Sequence, residues 1–170
     1  MTKTSAISTT HPLNEAQGNL VKLLIKFGVV FIVIGGRAVC AYSDYRNTSD
    51  LDILLSRSKG NARRLARAFG LHESPSLEGK KWEDILTLEN KLILYPSPQN
   101  KEADLLTSID GIHFGKCYER SIQVAFGTLV LRVPNVPDLI QMKRQSMLVG
   151  NDVAAHLKDL TDITELQKTL

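Results

Sequence analysis

The run Val29-Val30-Phe31-Ile32-Val33-Ile34 is the longest unbroken apolar stretch of the chain, and it stops at Gly35-Gly36. Six residues are far short of the roughly 20 that a helix needs to cross a bilayer. The run does not alternate with polar residues and is rich in β-branched side chains, so it predicts a strand buried on both faces. Such a strand must sit in a covered sheet, which demands a layered fold with helices. After thirteen intervening residues comes Asp50-Leu51-Asp52-Ile53-Leu54-Leu55, a second strand that opens on two carboxylates. Side chains alternate along a strand, so Asp50 and Asp52 are expected on one face, with Leu51 and Ile53 turned into the core on the other.

The remaining patterns supply the layers. Leu13, Ala16, Leu20, Leu24 and Phe27 recur at helical spacing, and Gly28 suits a C-terminal cap. A short helix is expected to start over 37–42, followed by a polar loop over 44–49. A helix over 60–70 turns Ala62, Leu65, Ala66 and Phe69 inward and leaves Lys59, Arg63, Arg64 and Arg67 as a solvated basic face. Residues 85–88 and 91–95 read as a hairpin about Glu89-Asn90, with Pro96-Ser97-Pro98 as a break and 102–109 as a further strand. Residues 122–126 and 129–133 flank Gly127-Thr128 as the clearest hairpin in the chain. Helices follow over 138–148 and from Val153 onward, the last with Val153, Leu157, Leu160, Ile163 and Leu166 along one stripe. The fold class is therefore α+β, a mixed sheet flanked by helices with helices at the C-terminus. Residues 13–170 are expected as a single domain after a flexible segment over 1–12.

Composition excludes more than it selects. The chain has 170 residues, which suits one self-sufficient core. Lys and Arg number 21 against 18 Asp and Glu, and a net charge of +3 is too small to imply nucleic acid or an anionic membrane by itself. Cys40 and Cys117 make neither a disulfide framework nor a zinc site, and His11, His72, His113 and His156 lie in unrelated contexts. The first twelve residues lack the apolar stretch of a secretory signal, so a cytoplasmic protein without a membrane partner is expected.

Two carboxylates on one face of a strand repel each other, and a divalent cation relieves the repulsion. Mg²⁺ takes carboxylate oxygens together with phosphate oxygens. Glycines between a buried strand and a helix let backbone N–H groups approach a phosphate. Either motif alone has low specificity. A phosphate cradle and a metal pair in one short segment point together to phosphoryl or nucleotidyl transfer.

The segment Ile34-Gly35-Gly36-Arg37-Ala38 with Arg46-Asn47-Thr48-Ser49-Asp50-Leu51-Asp52-Ile53 resembles the nucleotidyltransferase superfamily of DNA polymerase beta type. Asp138-Leu139-Ile140-Gln141-Met142-Lys143 and Leu157-Lys158-Asp159-Leu160-Thr161-Asp162 resemble a bacterial branch of small stand-alone members, and the resemblance covers about residues 20–166. It implies a nucleotidyltransferase-like mixed sheet and transfer of a nucleoside monophosphate from an NTP, ATP among them, to a hydroxyl acceptor. Asp50, Asp52 and Asp104 would hold Mg²⁺, with Mn²⁺ as a substitute, and Asp104 would take the acceptor's proton. Gly35, Gly36, Arg46 and Thr48 would line the nucleotide pocket. Lys143 would neutralise the triphosphate, with a solvated lysine on an amphipathic helix as the competing reading, and Lys158 would have a part in the site, with a surface salt bridge to Asp162 four residues on as the competing reading.

Arg37 departs from the pattern, because many active members have serine there. Two readings stand side by side: Arg37 holds a phosphate through its guanidinium, or it marks lost catalysis. In the second reading the chain is an inactive nucleotide-binding or toxin–antitoxin interaction module. The acceptor by analogy is a small molecule, a tRNA end or a protein, so an RNA or protein partner, or a second copy of the chain, completes the list.

Overall fold

The buried run and the carboxylate strand lie side by side. In the computed structural model, which describes residues 7–9, 11–71, 80–97, 100–149 and 152–170, Phe31–Ile34 forms β2 with all four side chains buried. It pairs antiparallel with β3, Asp52–Leu55, and Ile34 stands opposite Asp52. The other elements are β1 (Ile7–Ser8), α1 (Glu15–Lys26), α2 (Gly35–Val39), α3 (Lys59–Ala68), α4 (Trp82–Ile85), β4 (Leu92–Ser97), β5 (Asn100–Leu106), α5 (Phe114–Arg120), β6 (Ile122–Phe126), β7 (Leu129–Val133), α6 (Val136–Leu148) and α7 (Val153–Gln167).

Two sheets result. A four-stranded sheet has the order β2-β3-β5-β4, and a three-stranded sheet has the order β1-β6-β7. Within the first, β3 and β5 run parallel with Asp52 opposite Asp104, while β4 and β5 are antiparallel with Leu92 opposite Leu106. One apolar core joins both sheets to the helices, from Leu20, Val21 and Leu24 of α1 through Ile53 and Leu105 to Leu139 of α6 and Leu166 of α7. The architecture is the expected α+β arrangement of a mixed sheet flanked by helices, with two helices at the C-terminus. No helix among the described residues is long and apolar enough to cross a membrane.

Local signals explain the boundaries. Asn14 and Gln17 close α1 with a capping box, Ser58 caps α3, and Asn135 caps α6 with a proline in its first turn.

Several expectations are corrected. The hairpin read over 85–95 does not form: Trp82–Ile85 is one helical turn, and β4 pairs with β5 instead. Four-residue apolar patterns fit either period, and the long-range partner decides. Pro96 does not break the chain but sits inside β4, where the register shifts between Tyr95 and Pro96. Being an edge strand, β4 tolerates the missing N–H donor. A helix, Phe114–Arg120, fills the stretch after Gly111 where none was read. Within the supposedly flexible start, Ile7–Ser8 pairs parallel with β6, and Thr9 is buried with its hydroxyl donating to the Cys40 carbonyl; residues 1–6 and 10 lie outside the described residues. The stripe on α7 is split. Ile163 and Leu166 are buried, while Val153, Leu157 and Leu160 face solvent.

Candidate functional site

A cleft of about 530 Å³ opens over one face of the four-stranded sheet. Its lining follows the strand order. Ile34, Gly35 and Gly36 come from the end of β2, Asp50 and Asp52 from the start of β3, Asp104 and Leu106 from β5, and Leu92 from β4. Leu139, Met142 and Lys143 of α6 contribute a further wall. Asp50, Asp52 and Asp104 thus converge on one cleft with Gly35, Gly36, Arg46, Thr48 and Lys143. β3 begins at Asp52, so Asp50 reaches the cleft from the loop before the strand rather than by alternation along it.

The two glycines are required by close approach. Gly35 has φ 65°, and a Cβ there would overlap the Asp52 carboxylate. A Cβ on Gly36 would lie 3.0 Å from Cγ2 of Thr48. The turn from β2 into α2 therefore carries Asp52 on one glycine and Thr48 beside the other. The Asp50 amide donates to the Thr48 hydroxyl at 3.3 Å, which fixes the short link between them. α2 is only five residues long, so the helix-end charge expected at the glycines is that of a single turn.

Arg37 is placed differently from the phosphate-binding expectation. It is 5% exposed and does not line the cleft. Its guanidinium donates to the carbonyls of His11, Pro12 and Ser49, at 3.3, 3.0 and 3.4 Å, and to Gln17 Oε1 at 3.1 Å. Gln17, itself buried, donates to the carbonyls of Ser49 and Glu102. Arg37 and Gln17 together tie α1 and the preceding segment to the residue before Asp50 and to β5 two residues before Asp104. Burial lowers the Arg37 pKa, opposed by the charges of Cys40 and Asp50. Arg37 thus acts as a brace behind the carboxylates, with both terminal nitrogens of its guanidinium already committed.

Lys143 does line the cleft, but its ammonium is also committed. Nζ lies 2.8 Å from Asp159 Oδ1 and 2.7 Å from Asp162 Oδ2, and all three residues are buried. Asp162 further accepts the Tyr45 hydroxyl at 2.9 Å and faces Arg46 Nε at 3.7 Å. Burial and the Asp162 carboxylate push the Tyr45 phenol above its ordinary value. This network pins the loop carrying Arg46 to α6 and α7. Two cations and two carboxylates cancel, so Arg46 and Lys143 bring no surplus positive charge to the cleft. Lys158 is exposed on α7 and does not line the cleft. Tyr45, Asp159 and Asp162 were not singled out for this role in the sequence. The helical spacing of Asp159 and Asp162, three apart on an otherwise apolar face, was the signal that could have found them.

The carboxylates are hard oxygen donors of the kind Mg²⁺ takes. Among the described residues no three His, Cys, Asp or Glu side chains form a group that would hold a metal unaided. Mg²⁺ is commonly bound by one or two carboxylates plus substrate phosphates. The donor set therefore fits an ion that arrives with a nucleotide.

The crystal structure of an antigenic nucleotidyltransferase-like protein from Paracoccidioides brasiliensis aligns with 91% of this chain and 77% of that chain, at 14% identity and a TM-score of 0.48. No protein-family model and no curated protein matches the chain.

Proposed function

We propose that the chain transfers a nucleoside monophosphate from an Mg²⁺-bound NTP to a hydroxyl acceptor. The observation that supports this reading most is the convergence of Asp50, Asp52 and Asp104 on one cleft beside Gly35, Gly36 and Thr48. A sheet needs no such gathering of carboxylates for its own stability, since like charges brought together cost free energy.

In this reading Asp50 and Asp52 hold the ion together with the phosphates, with Asp104 as the third carboxylate. When bound, Mg²⁺ supplies Lewis-acid charge neutralisation at the transferring phosphate. Gly35 and Gly36 allow the triphosphate to lie close to the backbone, and Thr48 walls that pocket. Asp104 accepts the proton of the acceptor hydroxyl. The acceptor oxygen forms its bond to the α-phosphorus as the bond from that phosphorus to the bridging oxygen breaks, and pyrophosphate leaves with the electron pair. Arg37, Gln17 and the Lys143–Asp159–Asp162 network hold the reacting groups in place, and this positioning is the protein's main contribution.

The test is the Asp50→Asn/Asp52→Asn double variant. It should remain folded, because it removes charge repulsion without changing shape, and it should lose both nucleotide transfer and the Mg²⁺ dependence of ATP or GTP binding measured by calorimetry. Unchanged transfer would sink the assignment. Nucleotide binding by the wild type that ignores Mg²⁺, with no transfer to any acceptor, would favour the non-catalytic binding module instead.

A further inference from the structure

The cleft extends past the carboxylates, and its far end has a different chemistry. Leu106 and Leu92 line that end on β5 and β4, and Ile109, Met142 and Val149 add apolar surface to the cleft. Leu92 is 56% exposed and Val149 is 74% exposed. Large apolar side chains left open to water in the wall of a cleft mark a place for an apolar occupant.

Strand order decides which substrate group lies there. From β2 to β4 the cleft presents glycines, Asp52, Asp104, then Leu106 and Leu92. Asp104 and Leu106 are two residues apart on β5 and so share a face, and Leu106 stands opposite Leu92. Three strand spacings of about 4.8 Å separate the glycine end from β4, roughly 14 Å in all. An in-line displacement needs the leaving and attacking oxygens on opposite sides of the phosphorus. With the leaving phosphates at the glycines, the attacking group comes from beyond Asp104, and its body rests on Leu106 and Leu92.

We propose that this apolar end binds the acceptor, and that the acceptor is a small hydroxyl compound with an apolar ring or alkyl body. The proposal rests on the transfer reading above. Its hydroxyl gives its proton to Asp104 and its oxygen bonds to the α-phosphorus as pyrophosphate departs. A polynucleotide end fits less well. Binding single-stranded nucleic acid relies on surplus positive charge and aromatic stacking surfaces. No aromatic side chain is among the described residues lining the cleft, and Lys91 and Asp110 add one charge of each sign to that lining. The whole cleft, with the end that would take the nucleotide, measures about 530 Å³, which leaves the acceptor only the space of a small body.

The experiment is methyl and amide NMR of the full chain saturated with Mg²⁺ and α,β-methylene ATP, which binds without transferring. Phenyl β-glucoside, an oligoribonucleotide ending in CCA and a serine-containing peptide are then added separately. The glucoside alone should shift the methyls of Leu92, Leu106 and Ile109 in a saturable way. Leu92→Lys, an exposed edge-strand change that the fold should tolerate, should raise its half-saturation at least tenfold and leave nucleotide binding unaltered. The proposal is overturned if the oligoribonucleotide or the peptide shifts those methyls, if no probe does, or if the nucleotide alone already occupies them. Failure of the underlying reading looks different: the Mg²⁺–nucleotide then leaves the amides of Gly35, Gly36 and Thr48 unmoved.

Discussion

Replacing Arg37 by serine removes four hydrogen bonds at one stroke. Hydrogen bonds involving a charged partner contribute about 1.5–3 kcal/mol each, but the four are not additive here. His11, Pro12 and Ser49 are half-buried or exposed, so water can replace the guanidinium at their carbonyls. Gln17 is 1% exposed, and its Oε1 keeps a 3.3 Å bond from the Asn14 amide. Removing the cation also recovers the cost of having buried it. The net expectation is a destabilisation of roughly 2–4 kcal/mol, which for a chain of this size lowers Tm by roughly 4–16 °C. Urea unfolding should show a lower midpoint with an unchanged slope. Affinity for Mg²⁺–ATP should fall by less than about tenfold, because the loss acts on the Ser49 anchor beside Asp50 rather than on a phosphate contact. An unchanged urea midpoint together with abolished nucleotide binding would refute the reasoning and place Arg37 on the phosphate.

Three further outcomes follow from the same geometry. Gly35→Ala forces a side chain into the left-handed region at roughly 1–2 kcal/mol and displaces Asp52, so Mg²⁺-dependent nucleotide binding should vanish in calorimetry while circular dichroism still reports a folded chain. Lys143→Met leaves Asp159 and Asp162 buried against each other and should cost about 3–5 kcal/mol in urea unfolding; a loss below 1 kcal/mol would mean that the network contributes little. Burial pushes the Cys117 thiol up from 9.0 to about 12 and the Tyr42 phenol up from 10.0 to about 12. Both stay protonated in the fold where the unfolded chain has released its protons, so their stabilisation is intact below about pH 9 and is lost as pH rises from there through about 12. Cys117→Val should flatten that alkaline decline in urea midpoints measured between pH 8 and 11, and a decline as steep as the wild type's would contradict it.

The sequence made the front of the site readable and concealed its supports. A strand end at Gly35-Gly36 and a carboxylate pair two residues apart are local patterns that one short window contains, although Asp50 reaches the cleft from the loop and not by the alternation that pointed to it. Asp104 lies in the strand next to β3, opposite Asp52. Arg37 and Lys143 were read as free charges because their partners lie far away in sequence. Arg37 meets Gln17 and the His11 and Pro12 carbonyls from another element, and Lys143 meets acids 16 and 19 residues on. No single window contains both halves of such a pair. The β4–β5 pairing was missed for a related reason, since Pro96 looked like a terminator until an edge position excused it. The outward side of α7 misled in the opposite sense, because helical periodicity marks a stripe but not whether anything covers it.

The parallel pairing of Asp52 with Asp104 has a consequence for how the chain becomes functional during synthesis. The two residues are 52 positions apart (104 minus 52). At roughly 5–20 residues per second a nascent chain would expose Gly35-Gly36 and Asp52 for about 3–10 seconds before β5 emerged to join them. The wall from α6 begins later still, at Val136. A chain divided in the connection between α3 and α4 would therefore separate the glycines, Asp50 and Asp52 from Asp104 and α6. Each fragment would carry an incomplete cleft, and binding of the nucleotide would report that the two had reassembled.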